Sequence, residues 1–310
     1  MNSAVSSRRV LLVSFVVDLF DVLSNLVVAL LTGSAVVFAE MAQGLADSSG
    51  SALLVIGERR SRRPADAQHP FGYGREAFFW GLLSAVAMLI IGGGLSAWRG
   101  YQQLVHPEPL EIPILAMAVV ALAVVTNSYA VSLSVRKLIG DHGSLRKAFR
   151  SMDEPLVKSA LLRDAIGTFT SIVGLIALVL YQGFGYIFFD AIGALAAALM
   201  MAAASLVLMA QARALITGRA LPKSTVRHLR KTILATPGVD SVNHLAAVYA
   251  GTSAILVDVD LDLDEELDTV QIEALLDRVE QRIRVELPDT EHVRVELSSP
   301  ESSGQTGSNG

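Results

Sequence analysis

The sequence predicts an α-helical membrane protein with six transmembrane helices followed by a small C-terminal α+β domain. Three observations predict it. Of 310 residues, 52% are hydrophobic and only 18% charged, more apolar and less charged than a soluble domain of that length. The apolar residues gather into six long runs instead of spreading through the chain. Charge is also segregated. The 30 acids and 25 bases place 15 acids and 4 bases between Asp258 and Glu301, leaving 15 acids and 21 bases elsewhere. That is an acidic soluble tail on a basic membrane part.

Crossing ~30 Å of hydrocarbon takes ~20 helical residues. Six segments qualify: Val10–Leu31, Ser34–Ile56, Ala77–Trp98, Ile112–Val135, Leu156–Tyr181 and Tyr186–Met209. The stretch ahead of the first span is too short for a cleavable signal, so that span is expected to stay in the mature protein. Lys and Arg concentrate in alternate connections. Arg8 and Arg9 precede the first span, and Arg59, Arg60, Arg62, Arg63 and Arg75 follow the second. Arg136, Lys137, Arg146, Lys147 and Arg150 follow the fourth, and Arg213, Arg219 and Lys223 the sixth. The positive-inside rule then puts both termini in the cytoplasm of a cell-membrane, multi-pass protein.

After Leu221 the periodicity changes. Thr225–Leu234 reads as a helix stopped by Pro237-Gly238. Val239–Val248 and Ile255–Leu263 alternate like strands, Val270–Val285 is an amphipathic helix, and His292–Leu297 is a last strand. The expected division is 1–212 for the membrane domain, 213–297 for the α+β domain, and a disordered Ser/Gly-rich tail over 298–310.

The absence of cysteine excludes disulfides, thiolate metal sites and thiol redox chemistry. No phosphate loop or nucleotide fingerprint occurs. Gly92-Gly93-Gly94, inside the third span, fits close helix packing instead. No enzymatic activity, no resident cofactor and no nucleic-acid partner are expected.

Polar residues at membrane depth are the functional candidates, because a carboxylate in hydrocarbon costs at least ~2.5–3.5 kcal/mol. Asp18, Asp21 and Asn25 share one face of the first span, and Glu40, Gln43 and Asp47 share one face of the second. Asn127 lies in the fourth; Arg163, Asp164 and Thr168 lie in the fifth. Counted at ~1.5 Å per residue, Asp18, Asp21, Asp47 and Asp164 fall in one layer, ~12–16 Å from the cytoplasmic surface. Oxygen donors at one depth suit a hard divalent cation. The alternative is structural: Arg163 pairs with Asp164 or Asp47, and the first-span carboxylates serve to hold it. Glu40 and Asp190 are read as nearer the outer surface and structural or vestibular.

The string from Arg60 to Glu76, with Arg62-Arg63-Pro64-Ala65-Asp66 and His69-Pro70-Phe71-Gly72-Tyr73-Gly74-Arg75, resembles the loop after the second helix of the cation diffusion facilitator family. Gly33-Ser34 and Asp190 resemble that family's pattern as well. The resemblance spans Val10 to about Leu297. It implies divalent metal efflux by metal/proton antiport, with manganese, iron or zinc as the transported cation. It also implies six spans, a ferredoxin-like cytoplasmic domain and a homodimer in membrane lipid.

The family's transport site pairs ligands four residues apart on the second and fifth helices. The second-helix pair falls on Gln43 and Asp47, a carbonyl replacing the usual imidazole or carboxylate. On the fifth helix one register gives Arg163 and Gly167, and the next gives Asp164 and Thr168. The second is preferred because it supplies charge. None of the histidines, at 69, 106, 142, 228, 244 and 292, lies in an expected span. The site is then built of oxygen, which points to manganese, magnesium or ferrous iron ahead of zinc.

Asp66 and His69 match two ligands of a peripheral family site whose third ligand falls on Tyr73. The alternative is a polar turn shaped by Pro64 and Pro70. Asp258, Glu273 and Glu296, with Asn243 or His244, match the family's cytoplasmic cluster. There the alternative is a solvated, acidic sheet face that discourages edge pairing. A transport-inactive member acting as a regulatory or partner subunit is the rival to the transporter.

Overall fold

The structure, a computed structural model, describes residues 19–142, 155–252 and 254–298. Asp18, the start of the first expected span and the tail from 299 onward lie outside the described residues. Two compact units form. One comprises Met1–Gly57 with Phe79–Ala212, the other Glu58–Phe78 with Arg213–Gly310.

The first unit is helical. Its helices are α1 (Leu19–Thr32 as described), α2 (Ala35–Ser61), α3 (Glu76–Val105), α4 (Pro113–His142), α5 (Pro155–Phe184) and α6 (Phe188–Ile216). By length and composition α3, α4, α5 and α6 each contain a stretch able to cross a membrane. α2 has 27 residues, long enough to cross, and bears the acids Glu40 and Asp47. Phe20, Leu30, Ile114, Leu122 and Leu199 are exposed around this unit. An apolar perimeter of that kind suits lipid. The protein is therefore an α-helical membrane protein.

Small residues decide how closely these helices approach. A Cβ on Gly193 of α6 would stand 2.5 Å from the Ala177 Cβ of α5 and 2.7 Å from Val36 of α2. A Cβ on Gly100 of α3 would meet Leu195 at 2.9 Å. The triple glycine of α3 lies in a π-helical turn, Met88–Gly94, where Gly92 abuts Met201 and Ala46. Without a hydrophobic drive between helices in lipid, such close backbone approach supplies the packing energy. The glycines thus serve packing, as expected.

Asp190, in the first turn of α6, tethers the start of α2. Its carboxylate accepts from Ser34 Oγ at 2.6 Å, the Ala35 N–H at 2.7 Å and the Val36 N–H at 3.2 Å. Those N–H groups have no partner within the helix, and negative charge is favoured at a helix N-terminus. Gly33 supplies the left-handed turn before it (φ 71°), and Arg99 donates to the Gly33 carbonyl at 2.8 Å. Of the two roles the sequence leaves open for Asp190, structural or vestibular, these bonds give it the structural one.

The second unit is the α+β domain. It contains α7 (Lys223–Leu234), β1 (Val239–Gly251), β2 (Ala254–Leu263), α8 (Thr269–Glu286) and β3 (Thr290–Leu297). The sheet order is β1-β2-β3, with β1 antiparallel and β3 parallel to β2. Leu229 and Ile233 of α7 and Leu275, Val279 and Ile283 of α8 pack on Val242, Val257, Val259 and Leu261. Asp268 caps α8, accepting from the Gln271 N–H while Gln271 returns the bond to the Asp268 N–H. The observed order, α-β-β-α-β, is the one the periodicity predicts.

Candidate functional site

Within the helical unit α2 presents Glu40, Gln43 and Asp47 on one face, as their spacing requires. Glu40 and Gln43 are buried. Thr170 Oγ1 of α5 donates to Gln43 Oε1 at 2.5 Å. Ser171 Oγ donates to Glu40 Oε2 at 3.1 Å and accepts from Asn127 Nδ2 of α4 at 2.9 Å. On α1, Asn25 Nδ2 donates to Asp21 Oδ2 at 3.1 Å. Asp21 faces α2: its Oδ2 lies 3.9 Å from where a Cβ on Gly44 would sit. Four helices thus contribute oxygen-bearing side chains to one polar cluster.

Arg163 of α5 completes it. Its Nε stands 3.8 Å from Asp47 Oδ1, and its Nη2 donates to Ser84 Oγ of α3 at 2.9 Å. One helical turn on, Gly167 leaves room for the Gln43 amide: a Cβ there would lie 3.0 Å from Gln43 Nε2. Among the described side chains, α5 brings Arg163 to Asp47, and Gly167 and Thr170 to Gln43. Thr168 follows Gly167 and is half-buried. The backbone of Asp164 belongs to α5; its side chain lies outside the described residues.

The sequence reads Glu40 as structural or vestibular, and the structure gives it a hydrogen bond from Ser171 within this network. The signal was present, since Glu40, Gln43 and Asp47 stand at i, i+3 and i+7. Ser84 and Gly50, and the contacts of Thr170 with Gln43 and of Ser171 with Glu40, are not marked in the sequence. Small polar and glycine residues are common in membrane helices, and nothing in one sequence marks which neighbour they will meet.

In the α2–α3 loop, within the second unit, Asp66 Oδ1 accepts the backbone N–H groups of Gln68 at 2.9 Å and His69 at 2.8 Å. Its Oδ2 accepts the Tyr73 hydroxyl at 2.8 Å. The His69 ring stacks on Tyr73 with centroids 4.0 Å apart. The Tyr73 hydroxyl first, then the two backbone N–H groups, hold the Asp66 carboxyl below the usual carboxylate range; the same bond raises Tyr73. These contacts are those of an Asx turn closed by a tyrosine. Gly74 of this loop meets the backbone of Ala250 and Gly251, and Phe71 meets His292 edge-on at 5.3 Å.

Asp258, Asp260 and Asp262 alternate with the buried Val257, Val259 and Leu261, so they project from the sheet face opposite α7 and α8. Asp258 sits between Ala246 and Arg294, and Asp260 between His244 and Glu296. Asp260 accepts from Ser298 Oγ, and Asn243 donates to the Ser298 carbonyl. Glu273 is an exposed residue of α8, on the other side of the sheet, so it does not join Asp258 within one domain. Among the described residues no group of three or more His, Asp or Glu side chains has the spacing of a metal site.

Comparison with known proteins meets this geometry from outside. The family description "Cation efflux transmembrane domain" matches residues 11–216, and "Cation efflux protein, cytoplasmic domain" matches residues 221–298. The chain belongs to the cation diffusion facilitator family. It is 24% identical over 265 residues to the "Proton-coupled zinc antiporter SLC30A9, mitochondrial" of Xenopus laevis, covering 84% of this chain and 47% of that protein. It is 25% identical over 240 residues to "Metal tolerance protein C4" of Arabidopsis thaliana, covering 76% and 52%. To the "Cation-efflux pump FieF" of Cronobacter sakazakii it is 26% identical over 261 residues, covering 84% and 82%. The chain spans about half the length of the first two relatives.

In this cation diffusion facilitator a neutral amide, Gln43, stands on the same face of α2 as Asp47, with the Arg163 guanidinium near Asp47 and the Gly167 backbone near Gln43.

Proposed function

We propose that this protein exports a divalent cation across the cell membrane in exchange for protons, with both termini in the cytoplasm. The observation that carries the reading is the polar cluster shared by α1, α2, α4 and α5 in a membrane-spanning unit. Oxygen donors there match a hard cation, and intramembrane carboxylates on this scale are retained for function. Asp47 is the principal ligand, supported by Gln43, with Asp164 and Thr168 as the α5 contribution. The cation enters from the cytoplasm, the helices rock to open the site outward, and protons replace it on the carboxylates. No covalent step is involved.

The oxygen-only set favours manganese or ferrous iron. Zinc is the alternative cargo, because a relative is named as a zinc antiporter. The family's cytoplasmic domain supports a homodimer formed partly through residues 213–297. Asp258 and its neighbours would at most bind a cation weakly on the sheet face, and Asp66 with His69 a peripheral one.

A second reading has its own observation. Arg163 already stands on Asp47 and Thr170 on Gln43, as in a member that has lost transport and serves as a partner subunit. Manganese and zinc flux into proteoliposomes under a proton gradient separates the two. Flux in wild type that Asp47→Ala and Asp164→Ala both abolish supports the exporter. No flux of either metal from a folded protein favours the inactive subunit.

A further inference from the structure

We propose that Arg163 is a tethered competitor of the transported cation, held over Asp47 in a built seat, and that it sets how tightly this protein binds its cargo. The inference rests on Asp47 being a cargo ligand, as proposed above.

The seat is specific. Asp47 and Gly50 stand three residues apart on α2 and so share one face. Both terminal guanidinium nitrogens, Nη1 and Nη2, lie 3.5 Å from the place where a Cβ on Gly50 would sit. That Cβ would also fall 2.6 Å from Ser84 Oγ, the group that accepts from Nη2 at 2.9 Å. Gly50 therefore clears the floor on which the guanidinium lies, and Ser84 of α3, itself buried, holds one edge of it. The Arg163 side chain is only 20% exposed.

The contact with Asp47 is of a different kind. At 3.8 Å between Nε and Oδ1 it is a charge pairing longer than a hydrogen bond. Ser84 holds the arginine by a hydrogen bond, while the arginine engages the Asp47 carboxylate by charge. Arginine stays protonated at every physiological pH, and its planar fork is suited to buried carboxylates. A divalent cation arriving at Asp47, whose side chain is 38% exposed, meets that positive charge at close range. To bind, it must push the guanidinium aside, and the seat resists. Affinity is then set by the difference between cation and arginine on one carboxylate. A cation diffusion facilitator built in this way engages only when the cytoplasmic concentration of its cargo is high.

The test measures Mn²⁺ binding to the purified full-length protein in detergent, by the loss of the free Mn²⁺ spin-resonance signal. Variants are R163M, R163K and S84A, each checked for a monodisperse elution profile. R163M keeps the bulk and removes the charge, and a thioether is a poor manganese ligand. Manganese should bind at least tenfold more tightly to R163M than to wild type, with S84A in between and R163K close to wild type. Equal or weaker binding to R163M than to R163K overturns the proposal. If R163M does not fold, S84A decides: binding no tighter than wild type overturns it. Manganese flux in proteoliposomes separates this from the function itself. Wild-type flux with unchanged R163M affinity sinks the competitor and leaves the exporter. Tighter R163M binding without wild-type flux keeps the competitor and sinks the exporter.

Discussion

Arg163 Nε stands 3.8 Å from Asp47 Oδ1, so a permanent cation of α5 occupies the neighbourhood of the α2 carboxylate. Gln43, one turn away on α2, is engaged by Thr170 and lies over the bare backbone of Gly167.

Gln43→His should shift metal preference. Gly167 leaves room beside the amide, and imidazole is a better donor to zinc than a carbonyl is. The zinc-to-manganese flux ratio in proteoliposomes should rise about tenfold, an order-of-magnitude expectation from ligand softness. An unchanged ratio would show that Gln43 does not touch the cargo.

Asp190→Ala should destabilise the helical unit by about 1–3 kcal/mol, because it strands the Ala35 and Val36 N–H groups in a buried site. Ser34→Ala, which removes only the hydroxyl bonded to Asp190, should cost about 1 kcal/mol. Thermal unfolding followed by Trp80 and Trp98 fluorescence should order the melting temperatures as wild type, Ser34→Ala, Asp190→Ala.

Gly193→Val should cost about 1–3 kcal/mol or more, since no rotamer removes a Cβ placed 2.5 Å from that of Ala177. Gly183→Ala is the control. A Cβ there meets nothing within 4 Å, and alanine favours a helix over glycine by about 0.5–1 kcal/mol. The control should melt no lower than wild type.

The Asx turn of the α2–α3 loop predicts a pH dependence. The Asp66 carboxyl is held below its unfolded value, so its contribution is complete above about pH 4, the ordinary aspartate range. It is lost as pH falls through the lower folded value. Hydrogen exchange across residues 66–73, corrected for the intrinsic rate, should quicken there in wild type. Asp66→Asn should show fast exchange at every pH. Chelators should leave wild-type exchange unchanged if the Tyr73 bond closes the loop without a metal; quickening on chelation would establish the peripheral metal site instead.

Much of this was legible in the chain. Length and apolarity fix spans because hydrocarbon leaves backbone groups no partner outside the helix. The alternation of Val257, Val259 and Leu261 with Asp258, Asp260 and Asp262 marks a two-faced strand. Spacing along α2 puts Glu40, Gln43 and Asp47 on one face, because helical geometry is local.

What required the tertiary structure is every relationship between helices. That Arg163 meets Asp47 and Ser84, that Gly50 clears the floor beneath it, and that Ser171 joins Asn127 to Glu40 depend on rotations and close approaches set by glycines and alanines elsewhere. A single sequence carries the periodicity of each helix but not its phase against its neighbours. In lipid that phase is decided by packing between surfaces of similar polarity. The sequence by itself determined the membrane-spanning class, the α-β-β-α-β domain and the face of α2 that bears the candidate ligands. The tertiary structure decided that Arg163 and Thr170 of α5 meet that face, at Asp47 and Gln43.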